Sequence, residues 1–172
     1  MNIVNNKRKK DSIEKIEKVF LELIQTKDIN QISITEICKN ANLNRTTFYS
    51  NYIDIYDLAN KIKEKLENDV FSLYKDDIKN RYNSDSFLKL FRHIKENQIF
   101  YKTYFKLGFD KNFIITDYDY TQAYTYYNSE KIDYHIEFFK AGLNAIIQKW
   151  LYNGCIESPE EMTEIIKSEY KK

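Results

Sequence analysis

The sequence predicts an all-α protein, and three observations carry that prediction. Gly occurs only 3 times and Pro once in 172 residues, whereas sheet proteins draw on both for their tight turns. Apolar residues recur at three- and four-residue steps over long stretches, the period of a helix with one buried face. Helix-start and helix-stop chemistry falls where those stretches begin and end.

The first helical pattern opens with Lys7-Arg8-Lys9-Lys10 and continues through Ile13, Ile16, Val19, Phe20, Leu23 and Ile24, with Lys27-Asp28-Ile29-Asn30 as its exit. Ser33 with Glu36 three residues later forms a capping-box pattern. The short helix it starts has Ile34, Ile37, Cys38 and Ala41 inside. After the turn Asn42-Leu43-Asn44, Asn44 is a suitable N-cap for a third helix from Arg45 to about Tyr52. Asp54 can cap a fourth, with Leu58, Ile62, Leu66, Val70, Phe71, Tyr74 and Ile78 apolar, reaching about residue 80. Ser84 or Asp85 caps a helix containing Phe87, Leu90, Phe91 and Ile94, and another covers 97–107 and stops near Gly108. Residues 109–131 are irregular, and the tyrosine-rich stretch 118–134 is either a lid over a pocket or a plain connection. A long helix over 132–153 is apolar on nearly every face, so it must be covered on more than one side. Gly154 ends it as a C′ residue. Ser158-Pro159-Glu160-Glu161 starts the last helix, with Ser158 as cap and Pro159 at its first position.

Composition excludes several classes. The formal net charge is +1, but residues 1–51 hold nine Lys/Arg against six Asp/Glu, and the remainder eighteen against twenty. A basic first third fits contact with an anion there. Cys38 and Cys155 belong to no metal-ligand spacing, and His93 and His135 are isolated, so no metal is expected. No apolar core follows the basic N-terminus and no 18-residue apolar run exists, which predicts a cytoplasmic protein without a membrane span. No Ser/His/Asp set, paired catalytic carboxylates or phosphate-binding Gly loop is present, so neither catalysis nor a cofactor is expected.

Three helices within the first 52 residues, with a tight turn between the second and third, make a helix-turn-helix pattern. Leu43, Phe48 and Tyr52 anchor the third helix, while Arg45, Thr46, Thr47, Ser50 and Asn51 point off it. Short polar side chains there suit base edges and phosphates in a major groove. A solvated helix of an ordinary bundle would carry the same pattern. The stretch Ser33-Ile34-Thr35-Glu36-Ile37-Cys38-Lys39-Asn40-Ala41-Asn42-Leu43-Asn44-Arg45-Thr46-Thr47-Phe48-Tyr49 resembles the DNA-binding domain of the TetR/AcrR family, whose pattern has Thr/Ser at the cap, Glu-Ile-Ala, Ala-Gly-Val and Leu/Phe-Tyr. The resemblance covers about residues 8–58. It implies an N-terminal three-helix helix-turn-helix DNA-binding domain (1–53) followed by a helical ligand-binding and dimerisation domain (54–172). It also implies roles for single residues. Ser33 would cap near a phosphate; Arg45, Thr46 and Thr47 would read bases; Tyr49 and Asn51 would hold the DNA backbone. Arg8, Lys9 and Lys10 would add electrostatic affinity from an arm before the first helix. The chain departs from the family at Asn42, where Gly is usual, and at Ile55, where a phosphate-facing Lys is usual. Asn tolerates positive φ, so the turn can survive; one ionic contact is lost.

The C-terminal stretch Tyr134-His135-Ile136-Glu137-Phe138-Phe139-Lys140-Ala141-Gly142-Leu143, continuing through Lys149-Trp150-Leu151-Tyr152-Asn153-Gly154, is similar to the C-terminal domain of TetR-type regulators and coactivators linked to dihydroxyacetone kinase. That implies a homodimer built from the last two helices, for which Phe139, Gly142, Ile146 and Trp150 are the candidate interface residues. Phe71, Tyr74, Phe91, Tyr101, Tyr104 and Phe105 are candidates to line a pocket for a small apolar or aromatic effector, although aromatics at helical spacing are more often core. The function expected is a homodimeric repressor released from a palindromic double-stranded operator by a small molecule. The alternative is a coactivator acting mainly through another protein.

Overall fold

The computed structural model describes residues 3–74, 85–112 and 131–169. Its regular structure there is helical, with no strand: α1 (Ile3–Thr26), α2 (Ile34–Ala41), α3 (Arg45–Tyr49), α4 (Ile55–Tyr74), α5 (Asp85–Glu96), α6 (Gln98–Lys106), α7 (Ile132–Tyr152) and α8 (Pro159–Glu169). Short 3-10 turns lie at Ile29–Gln31 and Phe109–Asn112. The expected continuation of α4 to residue 80 and the tyrosine-rich stretch between 113 and 130 lie outside the described residues. Among the described residues, no helix is long and apolar enough to cross a membrane.

The chain forms two compact units, Met1–Glu67 and Asn68–Lys172. In the first, the apolar stripe of α1 (Ile16, Phe20, Ile24) is fully buried together with Ile37 of α2, Phe48 of α3 and Leu58 of α4. One carboxylate enters this core. Glu17 is only 8% exposed, and its two oxygens are satisfied by Lys65 Nζ at 2.9 Å and the Tyr52 hydroxyl at 3.4 Å. A buried charge is tolerable when it is paired and hydrogen-bonded in this way. Burial, reinforced by the neighbouring Glu17 carboxylate, pushes the Tyr52 phenol well above its ordinary range and keeps it protonated. Tyr52 therefore stays a hydrogen-bond donor to Glu17.

The second unit is organised around Trp150, 2% exposed on α7. Its ring meets Phe91 of α5 edge to face, with centroids 5.5 Å apart, and its indole N–H donates to the Glu157 carbonyl at 3.3 Å. Lys95 of α5 donates to that same carbonyl at 3.2 Å. One acceptor in the α7–α8 turn thus ties it back to α7 through Trp150 and across to α5 through Lys95. The turn follows the predicted chemistry. Gly154 adopts φ 78° past the end of α7, and Ser158 and Glu161 cap α8 reciprocally at 3.1 and 2.7 Å. Cys155 also takes a left-handed conformation, φ 54°, with its side chain buried. Arg92 of α5 reaches Glu160 of α8 at 2.7 Å, a solvent-exposed pair worth little by itself.

His93 is a packing residue. It joins α5 to α6 by sharing a 2.8 Å hydrogen bond between Nδ1 and the Tyr101 hydroxyl, with the rings edge to face. Burial lowers its pKa from 6.5, against the opposing pull of Asp69 and Glu96.

Two outcomes follow for stability. Trp150→Ala removes the largest buried side chain and is expected to destabilise by about 3–5 kcal/mol in urea unfolding. Burial holds the folded pKa of His93 below 6.5, so the unfolded state takes up the proton first as pH falls through 6.5. Stability should decline from there down to the lower folded pKa and be flat on the alkaline side. His93→Gln should remove that decline in melts recorded across pH.

Candidate nucleic-acid interface

The turn between α2 and α3 is built from three side-chain decisions. Ser33 starts α2 by accepting the Glu36 amide at 3.1 Å. Asn42 closes it in the left-handed region, φ 54° and ψ 48°, where Asn tolerates what most residues resist. Asn44 then caps α3. Its Oδ1 accepts both the Thr47 amide at 2.7 Å and the Thr47 hydroxyl at 2.9 Å. A five-residue helix is too short to hold itself. It is held by Phe48, fully buried, which meets Tyr49 edge to face and Tyr52 at a tilt, at centroid distances of 5.7 and 5.4 Å.

The outer face of α3 is then Arg45, Thr46, Tyr49 and Ser50, all exposed. Beside it lies a shallow groove of about 370 Å³, lined by Arg8, Lys9 and Ser12 of α1 and by Asn44, Thr46, Thr47, Ser50 and Asn51. Two cations thus face a bank of hydroxyl and amide groups across an open groove, a surface suited to phosphate oxygens and base edges. The basic run is not an arm before the first helix: it forms early turns of α1 itself. That geometry divides it, because helical neighbours point in different directions. Arg8 and Lys9 line the groove, whereas Lys10 pairs with Glu14 at 3.8 Å and is not among the lining residues.

The α3 residues are also divided. The Thr47 hydroxyl is spent on Asn44, so Thr47 belongs to the cap. The Ser50 hydroxyl donates to the Thr46 carbonyl at 2.8 Å. Asn51 donates Nδ2 to the Thr47 carbonyl at 2.8 Å, and its Oδ1 is buried without a partner. Its own carbonyl accepts Lys61 Nζ at 2.8 Å. Asn51 therefore faces largely inward, as a joint between α3 and α4. Ser33 is exposed at the cap. Ser12 and Asn44 join the groove without having been singled out as DNA-facing residues, whereas Ser50 was read as pointing off the third helix; Ser12 was legible as the residue one turn beyond Arg8. At the start of α4, Ile53 is 79% and Tyr56 55% exposed, with Ile55 half-buried between them.

Unit two places its expected site residues differently from the sequence reading. Phe91, Tyr101 and Tyr104 are buried, packed on Trp150, on His93, and on Phe105 with Phe109, respectively. Each ring is part of the packed interior of its unit. Phe105 is half-buried, Phe71 is 50% exposed, and the Tyr74 side chain lies outside the described residues. Of the expected interface residues, Trp150 is internal to its own unit, only 2% exposed, and has no surface left for a partner. Phe139 packs beside Phe87 at 6.0 Å, and Ile146 is half-buried. Gly142 is exposed, with open space where a Cβ would stand. The outward stripe of α7 is instead Tyr134 (78% exposed), Phe138 (76%), Ala141, Gly142, Ala145 and Tyr152 (91%).

Cys38 and Cys155 are free and buried, and burial raises both thiols, so they are packing residues. Among the described residues no His, Cys, Asp and Glu cluster could hold a metal. Asn44→Ala should cost about 1 kcal/mol through the lost cap and speed amide exchange in α3, while Asn44→Asp should keep both near the starting values. Equal exchange in α3 for all three proteins would show that the cap does not hold the helix.

Residues 83–169, about half the chain, match the TetR-type family model described as a transcriptional regulator C-terminal region. The HTH-type dhaKLM operon transcriptional activator DhaS of Lactococcus lactis subsp. lactis (strain IL1403) is 36% identical over 98 residues, 57% of this chain and 50% of that protein. The matched segment thus spans about half the length of this curated relative. A solved structure of a dihydroxyacetone kinase operon activator DhaS superposes with a TM-score of 0.58 at 25% identity, covering 92% of this chain and 93% of the other. A helical chain with a helix-turn-helix in its first unit and this C-terminal region in its second belongs to the TetR family of transcriptional regulators, with a DhaS-like C-terminal domain.

Proposed function

We propose that the protein is a homodimeric, sequence-specific DNA-binding regulator that reads a palindromic operator through α3 and acts in the cytoplasm. The observation that carries this reading is the groove that joins Arg8 and Lys9 of α1 to the polar face of α3. The cations supply affinity that falls with salt, and the short helix between them and the turn supplies base contacts. The division of labour follows the geometry: Arg45 and Thr46 face base edges, Arg8, Lys9 and Ser12 face phosphates, and Ser33, Thr47 and Asn51 hold the turn and α3 in shape. Both relatives are named activators, which favours activation of transcription over the repression expected from sequence.

The dimer surface we propose is the exposed stripe of α7. Tyr134, Phe138, Ala141, Ala145 and Tyr152 follow one another at steps of four, three, four and seven residues, which is the heptad spacing of a helix seam. Small residues in the middle allow two helices to approach closely, and aromatics at the ends supply apolar area. Exposed runs of this kind on one helix mark an association surface.

A second reading is supported by Ile53, Ile55 and Tyr56. At the start of α4 the chain presents apolar groups where a phosphate would favour a cation, and Ile53 is 79% exposed. A coactivator working through another protein would use such a surface.

Selection from a random duplex pool separates these readings. Enrichment of a palindrome is the result expected; no enrichment from a folded dimer at low salt would contradict operator reading and favour the coactivator. Phe138→Glu should shift sedimentation from dimer to monomer while leaving the protomer folded. A dimer that persists would place the interface elsewhere.

A further inference from the structure

We propose that Tyr49 acts as a positioning residue for Arg45, and that the pair forms a preorganised reader of a guanine at one position of each operator half-site. This rests on the DNA-reading function proposed above. Arg45 opens α3 and Tyr49 lies one turn later on the same face. Arg45 Nη2 donates to the Tyr49 hydroxyl at 3.2 Å, and its guanidinium carbon lies 5.8 Å from the Tyr49 ring centroid. Both side chains are exposed, so neither is held there by burial. The restraint comes from below: Tyr49 meets the fully buried Phe48 edge to face at 5.7 Å.

An exposed arginine ordinarily samples many rotamers, and ordering it on binding reduces affinity. Here a chain of contacts runs from the core through Phe48 and Tyr49 to the guanidinium. Only one of the five guanidinium N–H groups is used by the hydroxyl, so the fork remains available for a two-pronged contact. Guanine presents two acceptors, O6 and N7, on its major-groove edge at the spacing of that fork. Thr46, next along the exposed face, reaches the neighbouring position. Tyr49 thereby serves specificity through Arg45 and not by gripping the DNA backbone.

The test is a double-mutant cycle on the duplex that the unaltered protein enriches, read against duplexes with each position changed. Arg45→Ala should abolish preference for guanine at one half-site position, by about tenfold or more, with the other positions unchanged. Tyr49→Leu should lower that same preference by about threefold, and should have no effect in the Arg45→Ala background. Tyr49→Phe keeps the ring against Phe48 and loses only the hydroxyl, so its preference should fall between that of the unaltered protein and that of Tyr49→Leu, and it guards against a folding defect, checked by melting. Equal losses from Tyr49→Leu in both backgrounds, or equal losses on every duplex, would overturn the proposal and make Tyr49 a phosphate contact or a packing residue. A motif without guanine dependence at Arg45 would also overturn it. Failure of the unaltered protein to enrich any duplex would remove the DNA-reading function itself, a separate and recognisable result.

Discussion

The burial of Phe48 is the constraint on which the first unit depends. A helix of five residues has almost no intrinsic stability, because nucleation uses up what its few hydrogen bonds return. α3 exists because one of its side chains is fully inside the core made by α1, α2 and α4. The Asn44 cap and the left-handed Asn42 decide its direction. Tyr52, held by Glu17 and covered by Lys61 at 5.1 Å, closes the other end. Everything exposed on α3 is therefore displayed by a rigid mount, which is the condition for reading bases with short side chains.

The second unit solves a different problem. Its helices have to hold a shape while leaving one face of α7 bare. Trp150 fixes the inner face through Phe91 and the Glu157 carbonyl, and Lys95 adds a second donor to that carbonyl. With the inner face fixed, the stripe from Tyr134 to Tyr152 has no choice but to point out. The two units then have distinct roles in the proposed function: one displays a reader, the other pairs two copies of it.

Much of this was legible in the sequence where local chemistry decides. The Ser158 capping box, the Asn44 cap, the Gly154 stop and the tolerance of Asn42 for positive φ all depend on residues within a turn of one another, and all appear as read; of the Ser33 box only the Ser33 half forms, because the Glu36 carboxylate turns to Lys27. The sequence is silent where direction depends on distant packing. α7 is apolar on nearly every face, so its period could not tell which side met its own core; Trp150 turned in and Phe138 turned out. The rings of Phe91, Tyr101 and Tyr104 have the spacing of a pocket lining and of a core alike, and only their neighbours distinguish the two. Lys10 reads as one of a basic run until the helix beneath it rotates it toward Glu14. The Thr47 hydroxyl lines the groove and also donates to Asn44, a second role that its place in the sequence does not show.

Hydroxyl-radical footprinting of the protein on an enriched duplex reports both DNA contact and the number of reading helices. A dimer presenting two α3 helices should leave two protected patches centred about one helical turn apart, ~34–36 Å. A single protected patch, or protection spread evenly along the duplex, would contradict it.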